Sequence, residues 1–329
     1  MRLIATGIAL MTVAGAALAA PEVSVELRAQ QPTYALGKPV EMTAVLSNRT
    51  DEPIEVAQYP KPWGVVAVRL SAIDTKGRPL AAAGMPIRGK VTPRMLSIRP
   101  GSYLAVPVYL NHYCYPLVPG ELDVRAGYVA SGVPAEAEQD APGSLPVRIQ
   151  LVETSDEELT AEASRLNAAL FATAANGSPH YTIFRLSWTG TPLALAILVD
   201  WLARRAMPWD SWYVEDALRC LRDDAGVSEA LVKGGETLGI SRALANALKA
   251  FSVGLSQAMP AIVGSLKRPE QEYQRGALWL LRWYGESHDY TAAERKVLYP
   301  LVRRAVDARD PLVRPSAVPV LKLVEPLPA

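Results

Sequence analysis

At 329 residues, half of them hydrophobic, the chain has material for two ordinary domains and a buried core, which excludes a disordered polymer. Its 34 Lys and Arg against 33 Asp and Glu leave a formal net charge of +1, too weak a field to hold phosphate backbones by bulk charge, so nucleic acid is not expected as a partner. The 2 cysteines and 3 histidines show no CxxC and no paired Cys/His spacing, which argues against a zinc site, and no motif asks for a cofactor.

Residues 1–20, MRLIATGIALMTVAGAALAA, begin with one Arg, run through an uncharged apolar stretch and end in the small-x-small series Ala17-Leu18-Ala19. That order reads as a secretory signal peptide cut near Ala19 or Ala20. A membrane anchor would want about 20 strongly apolar residues flanked by anchoring charges. No stable membrane span is expected, and the expected location is periplasmic or secreted.

Residues 21–153 carry apolar residues at every second position: Val23, Val25, Leu27; Val40, Met42, Ala44, Leu46; Val66, Val68, Leu70. Alternation of this kind puts one face of a strand in a core and the other in water. Turn signals at Leu36–Pro39, Lys76–Pro79, Pro100–Ser102 and Pro119–Glu121 divide the segment into about seven strands, the layout of an antiparallel sandwich. RPGSYLAVPVYL (Arg99 to Leu110) followed by VPGELDVRAGY (Val118 to Tyr128) resembles the closing strands of immunoglobulin-like domains in secreted bacterial proteins. Leu122 stands where many members of that family carry a Tyr that pins the corner, so that hydrogen bond is not expected here.

At Thr154 the period changes. Ser155 and Glu158 have capping-box spacing, and residues 154–329 show apolar residues at helical intervals, interrupted by Gly or Pro. Val313, Ala317, Val318 and Leu321 superpose on Tyr273, Ala277, Leu278 and Leu281, then on Ala243, Ala247, Leu248 and Phe251, then on Tyr213, Ala217, Leu218 and Leu221. Each set follows another apolar helix (Pro192 to Met207, Ser228 to Leu238, Ser256 to Leu266, Thr291 to Val306), giving four helix pairs from about Thr191 to Val324. A small residue at one recurrent position lets stacked helices approach closely. DPLVRPSAVPVL (Asp310 to Leu321) resembles the second-helix signature of HEAT repeats, with Asp310 as cap and Pro311 in the first turn. Pro315 and Pro319 stand where a regular helix needs its hydrogen bonds. The expected fold class is therefore multidomain, all-β plus all-α: an immunoglobulin-like β-sandwich followed by an HEAT-like α-α superhelix.

Chemistry is sparse. His112, His180 and His288 have no helical partner at i+4 and read as surface or capping residues. In PWDSWYVED, Trp209, Asp210 and Trp212 join aromatic platforms to carboxylates, the equipment of a carbohydrate site, while Glu215 and Asp216 read as acids in the first turn of the next helix. Trp279 and Trp283, one turn apart, form a stripe that suits a core cover or a ligand. Cys220 falls on a core position of the repeat, yet an oxidising compartment would permit a Cys114–Cys220 disulfide. The expectation is an exported, non-enzymatic interaction or scaffold protein with a protein partner in the cell envelope. The alternatives are a carbohydrate-binding or carbohydrate-active protein, and a protease inhibitor acting through a sandwich loop such as Gly84 to Arg94.

Overall fold

The period-two segments form strands, and the helical-period segments form helices, with the change between Val152 and Asp156. A computed structural model describes residues 23–58, 68–80, 94–112, 117–128, 143–176, 179–204, 211–221, 224–308 and 310–325. The signal-like segment therefore lies outside the described residues.

The N-terminal strands are β1 Val23–Ala29, β2 Thr33–Ala35, β3 Glu41–Asn48, β4 Ile54–Gln58, β5 Val68–Asp74, β6 Arg94–Ile98, β7 Tyr103–Tyr109, β8 Gly120–Tyr128 and β9 Val147–Val152. They build one sheet in the order β1-β3-β7, a second in the order β2-β9-β8-β5 and a β4-β6 ribbon. Every pairing is antiparallel except β2 with β9, which runs parallel with Tyr34 opposite Leu151. One face of each sheet supplies a shared core: Val40, Met42, Ala44 and Leu46 from the first, Leu70, Leu122, Val124 and Ile149 from the second. Register is fixed by that burial, because a slip of one residue would turn the whole apolar set to water. Leu122 is buried on the core face of β8, and another tyrosine pins a corner: the Tyr34 hydroxyl accepts from the Gln30 amide at 3.1 Å and donates to the Glu41 carbonyl at 2.7 Å.

The helices are α1 Asp156–Asn176, α2 His180–Thr189, α3 Pro192–Arg204, α4 Ser211–Arg219, α5 Asp224–Leu238, α6 Arg242–Ala250, α7 Leu255–Lys267, α8 Gln271–Gly285, α9 Ala292–Asp307 and α10 Arg314–Val324. Each packs against the helix two before and two after it, so that even-numbered helices form one layer and odd-numbered helices the other. At the start of α1 the Ser155 hydroxyl accepts from the Glu158 amide, and at α9 the Thr291 hydroxyl accepts from the Glu294 amide while the Glu294 carboxylate accepts from the Thr291 amide; Asp310, read as the cap of the last helix, instead accepts the Leu312 and Val313 amides in the turn before it, because α10 starts at Arg314. The recurrent small residues Ala217, Ala247, Ala277 and Ala317 are completely buried.

In the pairing of the helices and in α10 the structure differs from the sequence expectation. A fifth pair, α1 and α2, precedes the four, and its recurrent position holds Ser187, also fully buried, its hydroxyl donating to the Phe184 carbonyl; a search for Ala does not find it. Val318 is 40% exposed where Leu218, Leu248 and Leu278 are buried, because no helix follows α10 among the described residues to cover that side. Helix α10 also forms despite its prolines: Pro315 lies in the first turn, where an amide needs no intrahelical partner, and only Pro319 removes an interior bond.

Strands and helices share an aromatic junction. A 3-10 turn, Leu110–His112, follows β7, and the His112 ring meets Tyr109, Phe184 and Trp188 at centroid distances of 5.4, 5.6 and 4.9 Å. Thr154 donates to the Leu36 carbonyl at 2.7 Å, and a Cβ at Gly37 (φ 77°) would collide with Leu159 of α1. His112 is thus buried rather than on the surface, and its Nε2 finds no hydrogen-bond partner among the described residues. Burial pushes it down to about 3 from the ordinary 6.5. Between those values the unfolded chain binds one more proton than the folded one, so this group makes stability rise with pH up to 6.5 and contributes no slope above it. Acid titration of unfolding should show His112→Phe losing less stability than the native chain, the difference growing by at most about 1.4 kcal/mol per pH unit below 6.5.

The small positions make a second test. Leu at Ala277 forces neighbouring helices apart and should cost about 1 to 3 kcal/mol, whereas Arg275→Ala, on the exposed side, should stay within about 0.5 kcal/mol in denaturant unfolding.

Candidate interaction surface

Helix α6 begins where the Ser241 hydroxyl accepts from the Leu244 amide at 3.1 Å and donates to the Leu202 carbonyl at 2.6 Å, fastening its start to α3. Ala243, Leu244, Ala247 and Leu248 point inward, which leaves Arg242 and Lys249, seven residues apart, on the outer face. Helix α8 comes unusually close to that start. A Cβ at Gly276 would lie 2.0 Å from the Ile240 carbonyl oxygen, so only glycine fits.

This approach sets α8's outer residues against those of α6. The Arg242 guanidinium lies 3.8 Å from the Trp279 ring centroid, and the Lys249 ammonium stands 5.6 Å from both Trp279 and Trp283. Arg219 at the end of α4 adds a cation over the Phe251 ring at 5.8 Å and donates to the Ala250 carbonyl. The tryptophan stripe seen in the sequence is therefore half-buried and covered by cations, a pairing that no spacing rule within one helix reveals.

No carboxylate pairs with Arg219, Arg242, Lys249, Arg275 or Arg282 among the described residues. Partial burial and then the positive charge of Arg275 hold the Arg242 guanidinium below its ordinary value. Elsewhere the ion pairs are regular: Arg185 with Glu162, Arg204 with Asp200, Arg303 with Asp307. The outer face of α6 and α8 carries four exposed cations against the exposed acids Glu272 and Glu286 of α8 and its C-cap, and those cations form no ion pair among the described residues.

The other sequence candidates are not brought together. Trp209, Asp210 and Cys114 lie outside the described residues, as does the loop from residue 81 to 93. Trp212, in the first turn of α4, is 42% exposed. Glu215 and Asp216 fall in the second turn rather than the first and are buried at 3% and 7% exposure, because α4 starts at Ser211; they are not offered to a sugar in solvent. Tyr213 stacks on His180 of α2, and His288 approaches Glu294 at 3.1 Å. A cleft of about 480 Å³ opens at the strand–helix junction, lined by Gly37, Leu117, Trp188, Thr191, Leu195 and Val227. Among the described residues no group of three metal-ligating side chains occurs, and no helix is long and apolar enough to cross a membrane.

No family model and no curated protein sequence matches the chain. Among solved structures it is similar to the β-glucosidase EmGH1 from Erythrobacter marinus, at 16% identity over 40% of this chain and 15% of that one, TM-score 0.25. Spo0M, a sporulation control protein from Bacillus subtilis, matches at 15% identity over 44% of this chain and 56% of its own, TM-score 0.24. Escherichia coli α2-macroglobulin activated by porcine elastase matches at 14% identity over 94% of this chain and 38% of its own, TM-score 0.22. The chain thus spans less than two thirds of each, and superpositions this loose carry no functional argument.

Cys220 stands as a free, buried thiol whose Sγ donates to the Asp216 carbonyl at 3.4 Å. Burial and then the Asp216 charge push it up to about 12, so it holds no thiolate at neutral pH. Alkylation without reductant should leave Cys220 unmodified in the native protein and modify both cysteines in denaturant; mass spectrometry showing none modified in denaturant would instead establish a disulfide.

Proposed function

We propose that this chain is an exported, non-enzymatic interaction protein, in which an immunoglobulin-like β-sandwich carries an HEAT-like α-α superhelix that holds a protein partner in the cell envelope. Two sheets closing on one core support the first half of that architecture, and helices packing in two layers support the second. The observation that carries the functional reading is the outer face of α6 and α8, where cations stacked on Trp279 and Trp283 have no carboxylate partner among the described residues. Protein surfaces ordinarily intersperse both signs, and Arg and Trp together are favoured at interface centres.

The Trp279 stripe favours the protein-partner reading over the carbohydrate alternative, which was read from Trp209, Asp210 and Trp212. Sugar stacking needs a bare aromatic face, and the Arg242 guanidinium lies over that of Trp279. Glu215 and Asp216, which follow Trp212 in α4, are buried, while Trp209 and Asp210 lie outside the described residues.

Affinity capture with the full chain from an envelope fraction tests the reading, with immobilised polysaccharides as the comparison. A protein recovered in near-stoichiometric amount is expected. Retention on polysaccharide without any protein partner would overturn it.

A further inference from the structure

We infer that the face formed by α6 and α8 is a docking site for an acidic polypeptide segment, bound through its Asp and Glu carboxylates. The inference rests on the interaction reading above and names the partner's chemistry.

Arg242, Lys249, Arg275 and Arg282 all lie exposed on two adjacent helices, against Glu272 and Glu286 at the two ends of α8, and none of the four cations is ion-paired among the described residues. The exposed charges of α10, the next helix of the layer, are Arg314 and Lys322. Along α6 and α8 the cations repeat at seven residues, Arg242 to Lys249 and Arg275 to Arg282, or about 10.5 Å at the helical rise. One turn of an extended, polyproline-like peptide is about 9.3 Å, so acids at every third residue would meet such a pair. The charge difference is local, since the chain as a whole carries only +1.

The tryptophans then decide among polyanions. A nucleic acid or an acidic glycan would add stacking of its bases or sugar rings on aromatic faces to its charge. Here Arg242 sits 3.8 Å above Trp279, and Lys249 stands near both rings. The rings serve as a floor that fixes the cations. Held this way, a guanidinium presents its N–H edge outward, the geometry that accepts a carboxylate with two parallel hydrogen bonds. Arg242 is also partly desolvated and lies beside Arg275, so an incoming carboxylate relieves a repulsion already present.

The test uses the full chain and three fluorescein-labelled probes of equal charge: an oligoglutamate peptide, a polyuronate fragment and single-stranded oligothymidylate. Fluorescence anisotropy should show the peptide bound most tightly, with affinity falling as salt is raised. Arg242→Glu with Lys249→Glu should weaken peptide binding by about tenfold or more, while Lys296→Glu on exposed α9 changes it less than about twofold. Arg242→Gln with Lys249→Gln, which keeps much of the packing over Trp279, should give an intermediate loss if the native melting profile is kept. Tighter binding of polyuronate or oligothymidylate than of peptide, or equal losses for the α6 and α9 variants, would overturn the inference. Should envelope capture recover a partner that the Arg242/Lys249 double variant binds as well as the native chain, this site fails and the broader interaction reading stands.

Discussion

Close approach of backbones at small side chains is the constraint on which the helical half depends. Ser187, Ala217, Ala247, Ala277 and Ala317 are fully buried at one recurrent position of successive even-numbered helices that pack on one another, with large buried residues around them in the shared core. Gly276 carries the constraint furthest, since α8 there rests against the Ile240–Ser241 backbone with no room for a methyl group. That contact fixes the height of Trp279 relative to Arg242. A surface property, the stacking of cations on rings, is thus set by the absence of a side chain in the core.

The junction between strands and helices obeys a different rule. There the packing is of large planar groups, Tyr109, His112, Tyr181, Phe184 and Trp188, tilted against each other rather than interdigitated. A buried imidazole among them is compatible with folding only while it is neutral. The tight Gly37 turn against α1 and the Thr154–Leu36 hydrogen bond hold the same seam from its other end. The two halves meet through a formed interface, with only Glu153 to Ser155 separating β9 from α1.

Periodicity made the strand and helix segments legible because burial enforces it residue by residue: β3 alternates as read, and α9 starts at the Thr291 capping box. What the sequence hid has identifiable causes. Ser187 fills the small position with a hydroxyl satisfied inside its own turn, so an Ala-based comparison passes over α2. Tyr34 pins its corner from a strand of three residues, too short to show alternation. The burial of His112 depends on α2, remote in sequence, and a lone histidine carries no local sign of that. At the candidate surface, Trp279 and Trp283 were visible as a pair, but the cations above them come from α6, and spacing within α8 is silent about another helix. Glu215 and Asp216 misled because, with α4 starting at Ser211, they fall in its second turn, and their sequence position does not show that this turn is buried.

The parallel pairing of β2 with β9 closes the strand region with its last strand. Thr33 to Ala35 wait for Gln150 to Val152, and the Leu36 amide completes the seam on the Val152 carbonyl. During synthesis the early strands can therefore collapse but cannot finish their second sheet until the end of the β region has left the ribosome. The helices have no such dependence, since each pair packs on its predecessor and can be added in the order of emergence. One end of the molecule matures all at once, and the other grows on it turn by turn.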